Sequence, residues 1–396
     1  MKTIIRPIYA VALMLSLTAT TGFALDEGSR VENFRLMDHQ GASHELHYFA
    51  DAPAIVLMTH STSCSTMPQS LQSLTSLQTQ FSPAGAEFML INPDLRDRRT
   101  TVASSVADAD LPILLDPTQI IGESLGADTA GETLVVNPRD WTLAYRGDVT
   151  GAAQAVAQLV AGDEVSVDSQ PVASADCALD FPELARRAEH KNISYAKTIA
   201  PMLIDNCVSC HREGGIGPWA MTDYNMVRGF SLMIREVVRT QRMPPWHADP
   251  HVGEFSNDRS LSDDEIRTLV HWVDAGAPRG EGADLLAENS QSWPIWAMGE
   301  PDVIIDIPPE DVPASGVVDY KYKMVTNPLD KDVWVKAAEI IPGDRSVLHH
   351  VITSFGELET EGRRAGRLKR GAGGGLGGYV PGAEGKPFPD DTGILL

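Results

Sequence analysis

Cys207-Val-Ser-Cys210-His211 restricts the folding of this 396-residue chain more than any other stretch. Two thiols two residues apart, with an imidazole directly after the second, can bond both vinyl groups of one haem while the imidazole ligates its iron from one face. A segment built around such a motif must wrap a flat, bulky, apolar group. The flanking pattern suits that task. Tyr195 to Asn206 reads as a short amphipathic helix leading into the motif, with Ile199 and Leu203 on one face and Pro201 near its start. Downstream, Leu261-Ser-Asp-Asp-Glu-Ile266 is a capping box with a hydrophobic staple: Ser262 caps, Glu265 reaches back, and Leu261 meets Ile266. The helix it opens sets Ile266, Leu269, Val270 and Val273 at i, i+3, i+4 and i+7, then stops at Gly276 and Pro278.

The compartment follows from the first residues. Lys2 and Arg6 precede an apolar run from Ile8 through Leu17, and Gly22-Phe23-Ala24 supplies small residues where a signal peptidase cuts. Residues 1–24 are therefore expected to be a secretory signal, directing the protein to the periplasm or outside the cell. No later stretch approaches the ~18 apolar residues of a membrane span, so the mature chain is not expected to be an integral membrane protein. Removing Lys2 and Arg6 takes the 32 basic residues to 30 against 54 acidic ones, a net charge of −24. That surplus repels nucleic acid and anionic lipid. Four cysteines are too few for a disulfide scaffold; beyond Cys207 and Cys210 only Cys64 and Cys177 remain, in an oxidising compartment.

Three segments separate by pattern. Over residues 25–160, the apolar runs Ala54–Thr59, Glu87–Ile91, Pro112–Leu115 and Thr133–Val136 alternate with helix-length polar stretches, which predicts an α/β layer around a largely buried sheet. Residues 161–180 are small and polar without a hydrophobic period, as in a linker. Residues 181–285 are helical, with Gly- and Pro-rich loops. Residues 293–396 turn to β character at Val303–Ile307, Tyr320–Val325, Val333–Ile340 and Val347–Thr353, which predicts part of an antiparallel sandwich. His39, His44 and His47 flank Gly41 and are expected at hairpin surface positions; with His60 they suggest a metal cluster only at first sight. Gly371 to Gly378 is a glycine-rich loop without the Lys-Ser/Thr ending of a phosphate loop.

Each segment resembles a known family. Pro112-Ile-Leu-Leu-Asp116, Gly126, Glu132-Thr-Leu-Val-Val-Asn137 and Tyr145-Arg-Gly147 resemble the second half of thioredoxin-like redoxin domains. In such a domain the reactive cysteine stands at a strand-to-helix junction, where Cys64 falls just past Ile55–Met58; a helix N-terminus there favours the thiolate. The sequence departs from the pattern in having Thr66 and Met67 where a second cysteine would make a dithiol, and Gly131 where a cis-proline is usual. Two readings of Cys64 stay open: a peroxidatic or redox-sensing thiol, and a structural disulfide to Cys177 that closes a long loop. The helical segment resembles a class I cytochrome c domain, with haem c on Cys207, Cys210 and His211. Met243, in Arg242-Met243-Pro244-Pro245-Trp246, resembles the methionine–proline loop that supplies the second axial ligand, with His247, His251 or an open sixth position as alternatives.

The last segment resembles the N-terminal domain of copper type II, ascorbate-dependent monooxygenases such as the peptidylglycine hydroxylating enzyme. Pro301-Asp-Val-Ile, Pro342-Gly343, Val347-Leu-His-His-Val-Ile-Thr353 and Tyr379-Val-Pro-Gly382 carry that likeness. It implies copper on His349 and His350, turned to one side by a bulge, together with a later histidine. The chain ends at Leu396, before the strand that would bear that histidine, so hydroxylation by this chain alone is not expected. As a whole the chain resembles bacterial redoxin–cytochrome c–copper monooxygenase fusions. The function this implies is a haem electron-transfer protein serving a copper oxidoreductase, drawing on a redox partner protein or small-molecule reductant. The alternatives are a thiol peroxidase using Cys64 and a non-enzymatic electron carrier. Fast oxidation of Cys64 by peroxide favours the peroxidase, and a Cys64–Cys177 disulfide is expected to rule it out.

Overall fold

The computed structural model describes residues 25–105, 111–170, 172, 174–246, 248–256, 258–288, 294–357, 374–382, 385 and 387–396, so the expected signal segment and His247 lie outside the described residues. The chain forms two compact units. The first runs to His190 and includes Met233–His271; the second comprises Lys191–Leu232 and Trp272–Leu396.

A seven-stranded mixed sheet organises the first unit, in the order β2-β1-β5-β4-β3-β6-β7. Its strands are β1 (Arg35–Asp38), β2 (Ser43–Glu45), β3 (Ile55–Thr59), β4 (Glu87–Asn92), β5 (Ile113–Leu115), β6 (Thr133–Asn137) and β7 (Thr142–Gly147). β3 is central because it is apolar on both faces, and all five of its residues are buried. It runs parallel to β4, with Ile55 opposite Glu87 and Thr59 opposite Ile91, and antiparallel to β6. The four apolar runs seen in the sequence become β3 to β6, with ends shifted by a residue at most. Helix α1 (Met67–Phe81) buries Met67, Leu71, Leu74 and Leu77, and joins Val56, Met58, Phe88 and Leu90 in the main core. The helices α2 (Arg99–Ser105) and α3 (Ile120–Leu125) follow β4 and β5. Helix α4 (Val149–Ala161) adds Ala152, Ala155, Val156 and Leu159 to that core. It begins where Asp148 accepts the Gly151 N–H (2.8 Å) and ends at Gly162, whose φ of +84° suits a glycine.

Two buried carboxylates fasten this unit. Asp116 accepts the N–H groups of Ile121 (3.0 Å) and Gly122 (2.8 Å) at the start of α3, and burial pushes its pKa up to about 6 despite those bonds. Glu132 meets Arg146 at 2.5 Å with both side chains almost sealed from water. Arg146 also donates to the carbonyls of Leu125 (2.9 Å) and Gly126 (2.5 Å). Burial raises the Glu132 pKa, with Arg146 pulling the other way.

The hairpin of β1 and β2 turns at Gly41 (φ +93°), where Asp38 accepts the N–H groups of Gln40 (2.8 Å) and Ala42 (2.9 Å) and bonds His44 (2.8 Å). Its histidines are not all surface groups. His39 is buried, with Nδ1 accepting the Ile113 N–H (3.3 Å), and the His47 ring packs tilted against Trp141, centroids 3.9 Å apart. The stretch read as a linker is bonded along the sheet edge and its loops: Gln170 N–H to the Arg146 carbonyl (2.9 Å), Ala130 N–H to the Cys177 carbonyl (2.7 Å) and Leu179 N–H to the Asp128 carbonyl (2.8 Å). The short helix α5 (Pro182–Ala185) and a 3₁₀ turn at Arg187–Asn192 come next.

In the second unit a π-helical turn, Tyr195–Ile199, leads into α6 (Ala200–Asn206), with Tyr195, Ile199 and Leu203 buried as the helical pattern predicts. Asp284 ties this turn to α7 (Tyr224–Gly229), accepting from the Tyr195 hydroxyl (2.6 Å) and the Tyr224 N–H (2.8 Å). The helices α8 (Ser231–Arg239) and α9 (Asp263–Asp274) carry the chain across the unit boundaries. The capping box before α9 forms: Ser262 N–H meets Glu265 at 2.9 Å and Glu265 N–H returns to the Ser262 hydroxyl at 3.3 Å.

The partial β-sandwich is a correction. Among the described residues, 303–307 and 320–325 form no strands. The β structure reduces to two ladders, β8 (Trp334–Val335) with β11 (Ile394–Leu395), and β9 (Val351–Ile352) with β10 (Gly378–Tyr379). Val317 and Tyr322 are 93% and 89% exposed. Extended segments keep their form only through ladder bonds and a buried face, and alternation in sequence supplies neither. No helix among the described residues is long and apolar enough to cross a membrane.

Candidate functional site

Cys64 sits between β3 and α1, in the seven-residue connection (60–66) from a fully buried strand to the helix starting at Met67. Its sulfur is bonded to that of Cys177, 113 residues later, with 4.4 Å between the Cα atoms. Cys177 ends a 3₁₀ turn, Ala175–Cys177, that the Ala130 N–H and the Thr129–Ala178 bridge fix beside the start of β6. Both sulfurs are nearly sealed from solvent. Thr66 lies between them, its hydroxyl 3.4 Å from Cys64 Sγ and 3.3 Å from Cys177 Sγ. Gly131 adopts a φ of +89° on the other side, its N–H bonded to the Thr59 carbonyl (2.8 Å), and a Cβ there would come 3.2 Å from the Ser70 hydroxyl.

The loop before Cys64 is held by carboxylates. Ser61 donates to Asp94 (2.6 Å), and Arg96 bonds both Asp94 (2.7 Å) and the Ser63 hydroxyl (2.9 Å). Burial works to raise Asp94, but Arg96 and Ser61 overcome it and hold the carboxyl at about 2. Asp97 accepts from the Thr62 N–H (2.8 Å) and from Asn92 (2.7 Å). Burial lowers the His60 pKa to about 4; the Asn92 amide donates to its Nδ1 (3.0 Å), which leaves a neutral ring with its proton on Nε2. Sequence reading passed over Asp94, Arg96 and Asp97. The signal was the Asn92-Pro-Asp-Leu-Arg-Asp97 turn closing a buried strand, although its partner loop is more than thirty residues away.

The other predicted residues lie on other elements of the two units. Cys207 and Cys210 stand just past α6 as half-buried thiols. The His211 N–H bonds the Cys207 carbonyl (2.9 Å), while its Nδ1 bonds the Trp219 carbonyl (3.1 Å) and leaves Nε2 for a ligand. A Cβ at Gly217 would lie 2.7 Å from His211 Nδ1, so glycine keeps the ring's place clear. These residues fit a haem c: two thiols one turn apart, and an imidazole oriented by a carbonyl on its far nitrogen. Met243 lies in the first unit after α8, its N–H on the Val237 carbonyl (3.1 Å), its side chain exposed and its peptide to Pro244 cis. His251 is exposed, with its N–H on Asp249 (2.9 Å).

His349 and His350 precede β9 rather than lying within a strand, and their Nδ1 atoms converge to 2.8 Å. Among the described residues no third His, Cys, Asp or Glu joins them as a metal-binding group. The pair supplies two of the three histidine ligands that the resemblance to copper monooxygenases implies.

A central parallel pair of strands, an antiparallel β6–β7 edge, and a cysteine at the strand-to-helix junction define a thioredoxin-like redoxin domain. Residues 28–150 match the AhpC/TSA family. Among solved structures, the chain is similar to a hypothetical protein of Sinorhizobium meliloti 1021 (20% identity over 40% of this chain and 96% of the other, TM-score 0.37). It is similar also to peroxidoxin BcpB of Mycobacterium tuberculosis (19%, 35% and 97%, TM-score 0.30). A third likeness is to the thioredoxin domain of a thiol-disulfide oxidoreductase of Bacteroides vulgatus (17%, 32% and 93%, TM-score 0.29). No curated protein matches. The expectation of a haem module delivering electrons to a copper oxidoreductase is corrected: the family match falls on the thiol domain, and among the described residues the histidine pair gathers no third metal-binding group.

Proposed function

We propose that this protein is a thiol–disulfide oxidoreductase of the redoxin type whose redox couple is Cys64 and Cys177. The observation that carries the reading is the bond between a cysteine at the strand-to-helix junction of an AhpC/TSA-matching domain and a second cysteine held beside it by the segment after α4. The sequence alone set such a bond against peroxidase chemistry, but it is equally the oxidised state of a two-cysteine couple. In the reduced state the Cys64 thiolate attacks the oxidant. With a hydroperoxide, an S–O bond forms, the O–O bond breaks, and the leaving oxygen takes a proton. The Cys177 thiol then displaces water from the sulfenic acid, so two thiols supply the two electrons. Burial of both sulfurs and the lack of a cationic imidazole at His60 make the attacking thiol depend on local opening of the 175–177 turn.

Thiol counting tests this. The native protein treated with dithiothreitol and then one equivalent of hydrogen peroxide is expected to lose two titratable thiols and recover the Cys64–Cys177 bond. Cys64→Ser is expected to abolish the uptake, and Cys177→Ser to trap Cys64 as a sulfenic acid that dimedone labels. A bond that dithiothreitol opens only in denaturant would mark a purely structural disulfide and overturn the proposal.

A haem c on Cys207, Cys210 and His211 is proposed beside this chemistry, supported by the motif and by the His211 Nδ1 bond to Trp219. Bound there, it supplies one-electron iron chemistry. After export with the haem-attachment machinery, intact mass is expected to show one haem, with Cys207→Ala and Cys210→Ala each unable to form two thioether links. A protein without covalent haem under those conditions refutes the attachment. The amino-terminal residues support export to an oxidising compartment, where the couple would be maintained.

A further inference from the structure

We propose that Glu183, His190 and His271 form a binding site for a divalent transition-metal cation of the zinc class. They come from three parts of the first unit: α5, the 3₁₀ turn after it, and α9. One ligand atom from each lies within 4.8 Å of the other two. The donor set, two imidazoles and a carboxylate, is one that zinc accepts with an open position for water.

Burial and charge argue for an ion rather than a simple polar contact. The imidazoles of His190 and His271 are stacked 4.0 Å apart at 12° and are 7% and 4% exposed. His190 Nε2 bonds Glu183 (3.2 Å), and His271 Nε2 bonds Glu123 of α3 (2.8 Å). Two carboxylates thus converge on a stacked, buried histidine pair. Among the described residues Arg186 also pairs with Glu183 (3.0 Å), but its side chain is 60% exposed and shared with Glu189 (3.3 Å). The second oxygen of Glu123, Oε1, is buried and has no hydrogen-bond partner, on a side chain only 10% exposed. A buried carboxylate oxygen left unpaired is unfavourable unless a cation or water reaches it.

A bound ion gives these groups a common role. Glu183, His190 and His271 become ligands, and Glu123 becomes the carboxylate that orients His271, as ligating histidines commonly require. The ion also accounts for how residues 182–192 hold their place. None of the residues of α5 is buried, and in the following turn only His190 is, so apolar packing contributes little there. The inference does not depend on the thiol chemistry.

Zinc binding to the full-length, disulfide-oxidised protein tests it, using a chromophoric chelator as competitor. The Cys207→Ser/Cys210→Ser background removes the other strong zinc donors, and His349→Ala serves as a control. One zinc per chain is expected in both. Affinity should fall more than about a hundredfold in His190→Gln and His271→Gln, and about 10–100-fold in Glu123→Gln. Unchanged affinity in the two histidine variants, or no stoichiometric zinc in the background protein, would mean a hydrogen-bonded clasp only and overturn the site. Should a histidine variant fail to fold, cobalt(II) added to the background protein decides. A d–d spectrum of nitrogen and oxygen ligands, lost in Glu183→Gln, is expected; a spectrum unmoved by Glu183→Gln refutes the proposal.

Discussion

Cys177→Ser is expected to lower the stability of the redoxin domain by about 5 kcal/mol, read as a fall of about 10–20 °C in its melting temperature under oxidising conditions. The bond joins residues 113 apart, and closing so long a loop removes much of the conformational freedom of the unfolded chain. Because the effect resides in the unfolded state, reduced wild type and Cys177→Ser should melt at nearly the same temperature. Scanning calorimetry of oxidised, reduced and variant protein checks this. Equal melting of oxidised wild type and variant would show that the bond adds nothing. The reduced domain is expected to stay folded at ambient temperature, since α1, α4 and both faces of β3 are buried independently of the bond. A redox couple requires that property: both oxidation states must be folded for the thiols to cycle.

Arg146→Met is the second large expected effect, a loss of about 3–5 kcal/mol in urea unfolding. The guanidinium meets Glu132 at 2.5 Å inside the protein and also takes up the carbonyls of Leu125 and Gly126. Removing it strands a buried carboxylate and two carbonyls at the end of α3. Glu132→Gln should be milder, because the amide oxygen can still accept from Arg146, although its NH2 then faces the Val172 N–H. The double variant Glu132→Leu/Arg146→Met should recover part of the loss, since apolar groups of similar volume avoid the burial of charge altogether. A single-variant loss below about 1 kcal/mol would mean that water reaches the pair and that the burial is less complete than the structure describes.

Much of the domain containing these groups was legible in the sequence because its signals are local. A run apolar on both sides, such as Ile55 to Met58, can only be a buried strand or helix, and its length and flanks choose the strand. Ser262 and Glu265 cap α9 because both partners lie within one turn. The same local reading placed Cys64 at the strand-to-helix junction. It failed where strands need partners: residues 303–307 and 320–325 alternate like strands yet form none among the described residues, because a ladder is a property of two segments. It also treated His39 as a surface group, whereas β5 lies beside it and takes up its ring nitrogen.

The sequence by itself determined the secondary structure of the redoxin domain, the strong acidity, and the thiol–thiol–imidazole motif at Cys207 to His211, all through the chemistry of neighbouring residues. Only the tertiary structure decided that Cys177 would reach Cys64, that Glu132 would be neutralised by Arg146, and that Glu123, Glu183, His190 and His271 would meet in one buried cluster. Each of these is a contact between segments distant along the chain. Such contacts form when the sheet and its helices exclude water around them, and the residues carry no periodicity that announces where that exclusion will occur.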